Sequence, residues 1–180
     1  MKKGTRIFID ILVIAVLVVI DQLTKQAAEV YLMDRPAYDI IPEVLQLYYL
    51  PGGNTGAAWG LFSGHQLLFI TVTIMVVAGI ILVLVRMPLD KKYSILRVLL
   101  VFIAAGGIGN MIDRALLGSV RDFIYIKIIN FPIFNVADMY VSCSVVIMLF
   151  VFLLKYKDED IKELEDSIRL NKQKTPASDS

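Results

Sequence analysis

One cysteine, Cys143, and one histidine, His65, are all that the 180 residues hold of either type. A lone cysteine excludes an intramolecular disulfide, and one ligand of each kind cannot build a zinc site, so neither metal nor cofactor is expected. A Ser-His-Asp triad would need His65 itself as its base, and a surface loop is the simpler account of that residue. Net charge is equally scarce. Eighteen Lys and Arg against seventeen Asp and Glu leave +1, divided among short segments, which provides no basic face for a nucleic-acid backbone. No internal repeat is visible. What the chain has in excess is apolar: 57% of its residues are hydrophobic and the mean hydropathy is +0.70, too high for a soluble domain of this size and opposite to the composition of disorder. The sequence is that of a membrane protein.

A helix of about 20 apolar residues crosses the roughly 30 Å hydrocarbon layer, and four such segments occur. Leu67 to Val85 is free of charge. Ile95 to Ile112 carries only Arg97, at an end where a long cation can snorkel to the interface, and its Gly106, Gly107 and Gly109 permit close helix packing. Met139 to Leu154 is a third. The first, Ile7 to Ile20, follows Lys2, Lys3 and Arg6, yet Asp10 interrupts it and no A-x-A site follows, so it is expected to be retained as a helix to about Lys25. Cations flank the ends before span one, between spans two and three (Arg86, Lys91, Lys92, Arg97) and after span four (Lys155, Lys157), which puts both termini in the cytoplasm.

The two remaining connections, about residues 26–66 and 115–137, then face outward. LQLYYL at 45–50 runs into the turn signal PGGN, and FIYIKII at 123–129 alternates apolar residues, so two short strands are expected there. The architecture predicted is an all-α bundle of four transmembrane helices with a small extracytoplasmic β platform, over residues 1–154. Residues 155–180 form a charged cytoplasmic tail, a solvated helix that passes into disorder.

Polar residues gather at one end of these spans. Asp21 and Lys25 lie four apart, Asn110, Asp113 and Arg114 lie three and four apart, and Asn135 and Asp138 lie three apart, each set on one helix face. Asp122 precedes the second strand at the same depth. Each has a plain explanation: an i,i+4 pair at the interface, a charge pair between Asp113 and Arg114, a helix cap at Asn135, a first-turn acid at Asp138, a solvated loop acid at Asp122. Their concentration in one leaflet is not explained this way, because polar groups at membrane depth are costly.

The segments read DQLTK (21–25), NTGAAWG (54–60), GNMIDR (109–114), VRDF (120–123) and FNVAD (134–138). In order and spacing this resembles the lipoprotein signal peptidases, the type II signal peptidases of bacteria, from about residue 7 to 154. The resemblance implies an aspartyl endopeptidase of the plasma membrane that cuts a diacylglyceryl-modified prolipoprotein just before its lipidated cysteine. It assigns the catalytic acids to Asp122 and Asp138, and substrate-binding or supporting roles to Asp21, Lys25, Asn54, Gly56, Trp59, Asn110, Asp113, Arg114, Asn135 and Ala137. A monomer among membrane lipids is expected. The chain departs from the family in Trp59, where Phe is frequent, in Asp10, and in its charged tail.

Two carboxyl groups suit such chemistry independently of the resemblance. One ionised acid activates a water while a protonated partner polarises the carbonyl, and like charges at close range enforce that division. A proton-coupled transporter would place its acids nearer the midplane, between repeats. A non-catalytic scaffold would explain the spans but not the clustered acids. A Ser/Lys peptidase would pair Lys25 with Ser63 or Ser119.

Overall fold

The computed structural model describes residues 2–56 and 66–169. Trp59, Ser63, His65 and the tail segment expected to be disordered lie outside the described residues. Within them, four helices are long and apolar enough to cross a membrane: α1 (Lys3–Leu32), α2 (Gln66–Arg86), α3 (Ser94–Leu117, preceded by a 3₁₀ turn at Lys91–Tyr93) and α4 (Val136–Leu154).

Helix α1 extends past Lys25 by two further turns, because nothing breaks it before Asp34, held at φ 57°, and Pro36. Its 30 residues span about 45 Å at 1.5 Å per residue, longer than the hydrocarbon layer, so one end projects from it. Helix α3 likewise runs beyond Ile112 to a left-handed Gly118 (φ 74°), whose N–H closes on Arg114. That extension brings Asp113 and Arg114 onto the helix.

Helix α3 is the centre of the bundle. It packs against α1, α2 and α4, and half of its apolar window is buried, against 11% for each of the others. Apolar side chains alone do not hold helices together in lipid, so close backbone approach matters. At Gly106 a Cβ would come 2.5 Å from the Ala137 carbonyl oxygen, and at Gly109 it would run into the Asp21 carboxylate. These two glycines let α4 and α1 seat on α3.

Arg97 does not snorkel. It is buried at 3% exposure and bonds to Asp10, itself buried, and to the Leu84 and Met87 carbonyls. The acid that interrupts the first span and the cation that interrupts the third are thus one interhelical pair.

The connections carry a three-stranded antiparallel sheet, β1 (Tyr38–Ile41), β2 (Leu45–Leu47) and β3 (Ile124–Ile126). Strand β1 is additional to the two expected, and the FIYIKII segment turns into 3₁₀ helix at Lys127. Main-chain bonds continue past β2, from Tyr48 N–H to Phe123 O at 2.9 Å and from Leu50 N–H to Asp122 O at 3.0 Å. The sheet therefore fixes the backbone at Asp122.

After α4 the chain forms a fifth helix, α5 (Asp158–Ile168), with Asp158, Glu159 and Asp160 in its first turn, where the helix dipole favours acids. This helix is docked instead of solvated: Leu164 packs with Met87, Tyr93 and Leu96. Lys92 meets Asp160 and Glu163 at 2.8 and 2.7 Å, and Arg86 donates to the Ile168 carbonyl.

Candidate active site

The C-terminal turns of α1 present Asp21, Gln22, Lys25 and Glu29 along one side, a spacing of three and four that the 3.6-residue period puts together. Asp21 and Lys25 are fully buried and 2.9 Å apart, so they form an internal pair and not an interfacial marker. Asp21 Oδ1 accepts the Ala137 N–H at 3.0 Å, which ties α1 to the first turn of α4. Lys25 Nζ also donates to Asn110 Oδ1 at 2.8 Å. The Lys25 amine is engaged by these partners, and no hydrogen bond among the described residues joins it to Ser119.

Asn135 caps α4 and does more. Its side-chain oxygen accepts the Asp138 N–H while the Asp138 carboxylate accepts the Asn135 N–H, a reciprocal capping box. The amide nitrogen of the same side chain donates to Asp122 Oδ1 at 2.6 Å and to Asn110 Oδ1 at 3.0 Å. Asn54 Nδ2 donates to the other Asp122 oxygen at 2.8 Å, and Asn110 Nδ2 donates to Asp138 Oδ1 at 2.7 Å. All four oxygens of the two acids thus accept an N–H, and Asn135 touches both acids. Asn54 is itself held by paired main-chain bonds to Val120, and its side-chain oxygen accepts the Gly56 N–H.

Asp122 is buried at 2% exposure. Burial foremost, with the nearby Asp138 charge, pushes its carboxyl up from the usual 3.8 to about 6, against the opposing pull of Asn54, Asn135 and Lys25. Asp138 is half-buried and opens onto a groove of about 280 Å³ between α2, α3 and α4, lined also by Val72, Val76, Gly107 and Arg114. A larger cleft of about 640 Å³, lined by Tyr48, Asn54, Tyr125 and Phe131, lies on the sheet side. Asp138 therefore faces an apolar groove in the bundle, and Asn54, which donates to Asp122, lines the aromatic cleft on the sheet side.

Asp113 pairs with Arg121 and Lys25, at 2.8 and 3.8 Å, and not with its neighbour Arg114. The Arg114 guanidinium stacks over the Phe69 ring at 5.2 Å and lines the groove beside Asp138. Gln22, Glu29 and Arg121 were not among the candidates from sequence. Their signal was present in part: Gln22 and Arg121 lie inside the quoted DQLTK and VRDF segments, and Glu29 continues the face of Lys25 if α1 is prolonged. Trp59 is the one predicted site residue that lies outside the described residues.

A family model described as signal peptidase (SPase) II matches residues 13–154. A lipoprotein signal peptidase of Brevibacillus brevis is 39% identical over 144 residues, 79% of this chain and 93% of the relative. One of Staphylococcus haemolyticus is 34% identical over 166 residues, 91% of this chain and all of the relative. A bacterial membrane enzyme solved at 1.9 Å superposes with a TM-score of 0.70 at 31% identity, over 82% of this chain and 94% of that one. With most of the chain matched by the model and by these relatives, it belongs to the signal peptidase II family.

Proposed function

We propose that this chain is an aspartyl endopeptidase at the outer face of the bacterial plasma membrane, and that it cuts diacylglyceryl-modified prolipoproteins before the lipid-bearing cysteine. The name shared by its relatives, lipoprotein signal peptidase, supports the substrate class. The observation that carries the mechanism is the Asn135 side chain and backbone joining Asp122 to Asp138. The cationic ends, with Lys2, Lys3, Arg86, Lys91 and Lys155, support cytoplasmic termini and an outward sheet. Both acids come from one chain, so a monomer suffices.

Asp122, buried and with its carboxyl raised to about 6, is the protonated partner. Asp138, which accepts a backbone N–H at a helix N-terminus, is the carboxylate. Asp138 takes a proton from water as the water oxygen adds to the scissile carbonyl carbon, and Asp122 donates its proton to the carbonyl oxygen. When the tetrahedral intermediate collapses, the C–N bond breaks and the proton on Asp138 passes to the departing amine. The hydroxyl proton returns to Asp122 as the carboxyl product forms. The groove beside Asp138 suits the apolar signal helix, and the sheet-side cleft suits the segment beyond the cut.

The test is to incubate purified protein with a diacylglyceryl-modified prolipoprotein and follow the shortened product. Asp122→Asn and Asp138→Asn should each lower kcat by at least about 10² to 10⁴, the usual contribution of a general acid or base. The double variant should be little worse than either, since the acids act as a unit. Near-normal turnover by folded Asp138→Asn would show that this acid serves only the helix cap.

A further inference from the structure

Arg121 immediately precedes Asp122, yet its side chain leads away from the two acids. Its backbone N–H and Nε donate to Asp113 Oδ2 at 3.0 and 3.1 Å, and Nη2 donates to Asp113 Oδ1 at 2.8 Å. The same Nη2 reaches Gln22 Oε1 at 3.0 Å, and Nη1 reaches Glu29 Oε2 at 3.1 Å. One residue is thus pinned to both α1 and α3, through main chain and side chain together.

Few other devices could do this. The loop from Gly118 to Asn135 holds Asp122, while Asp138 sits on α4, so the register between the acids depends on how that loop is fastened to the bundle. The sheet holds Asp122 from the far side through Leu50, and Asn54 holds Val120. On the bundle side, Asn135 ties the Asp122 side chain to the cap of α4, and the ties to α1 and α3 run from Arg121. Asp113 is fully buried, and its other cation, Lys25, lies 3.8 Å away and is engaged by Asp21 and Asn110. A planar guanidinium that grips both carboxylate oxygens fixes direction as well as distance, which a lysine ammonium does not. Dyad chemistry is sensitive to displacements of about 0.5 to 1 Å, so a loosened loop lowers turnover before it unfolds anything.

We propose that Arg121, clamped by Asp113, Gln22 and Glu29, is a positioning residue that sets the register of Asp122 against Asp138. The inference rests on the assignment of those two acids as the dyad. It separates from a merely structural tie by kinetics: positioning lowers kcat per folded molecule and leaves KM alone, whereas a structural tie lowers activity in step with the folded fraction.

The experiment measures kcat, KM and folded fraction for Arg121→Gln, Arg121→Lys, Asp113→Asn, the Arg121→Gln/Asp113→Asn pair and Asp122→Asn, all on the lipidated substrate. Arg121→Gln is expected to lower kcat 10- to 100-fold at unchanged KM, and the double variant to fall no further than the worse single. If Arg121→Gln does not accumulate folded, Arg121→Lys decides: a threefold or greater fall in kcat at unchanged KM supports the clamp, and wild-type kcat overturns it. Wild-type turnover by Arg121→Gln beside an inactive Asp122→Asn overturns this inference alone. Turnover by Asp122→Asn overturns the dyad on which it rests.

Discussion

At the scale of single residues, the site is governed by what burial does to charge. Asp122 binds its proton more tightly in the folded protein than in the unfolded chain, with its carboxyl raised from 3.8 to about 6. The group therefore adds stability below about pH 4 and loses it as pH rises through about 6, an increment of about 3 kcal/mol by linkage. Asp122→Asn lacks this increment. The stability of wild type minus that of Asp122→Asn, from denaturation in detergent, should rise on going from pH 7 to pH 4.5; a flat difference would contradict the buried, proton-retaining carboxyl. The same proton is needed for chemistry, so kcat/KM of the wild type should fall as pH is raised above about 6. The residue types at the site were legible in sequence because acids and amides at membrane depth are conspicuous. Their partners were not. Asn135 looked like a cap and is one, but only folding brings its amide to Asp122, 13 positions away.

At the scale of elements, length and composition located the spanning helices, and neighbours decided their ends. Helix α1 keeps its last two turns because no breaker comes before Asp34 and Pro36, and Glu29 within them accepts from Arg121 in the loop. Strand β1, all four of whose residues are exposed, has no apolar alternation to announce it; it exists through pairing with β2. Helix α5 is amphipathic and acidic, and its sequence alone suggests a solvated helix, yet Leu164 fits between Met87, Tyr93 and Leu96. An 11-residue helix is too short to be stable by itself in water, where about 12 to 15 residues are marginal. Leu164→Ala should cost about 2 to 3 kcal/mol of docking. Trypsin should then cut at Lys162 and Arg169 at least tenfold faster, while cleavage of the lipidated substrate stays near wild type. Unchanged proteolysis would mean that the polar contacts of Lys92 and Arg86 suffice to hold α5.

At the scale of the whole molecule, the proposed orientation puts the acids and sheet outside and the α5 platform inside. In a Cys143→Ala background, cysteines placed at Asp39 and Ser119 should react with an impermeant thiol reagent in intact cells, and one placed at Lys157 should react only after permeabilisation. The reverse pattern would invert the enzyme. The sequence by itself determined that the chain is a four-span membrane protein, because insertion depends on the summed hydropathy of about 20 consecutive residues and not on what they touch. It also carried the motifs that resemble signal peptidase II. The tertiary structure alone decided which charge meets which: Asp10 with Arg97, and Asp113 with Arg121 instead of the adjacent Arg114. Buried ions need partners at hydrogen-bond distance and angle. That geometry is set where helices and loops far apart in the chain pack together, Gln22 and Arg121 being 99 residues apart, and no local pattern specifies it.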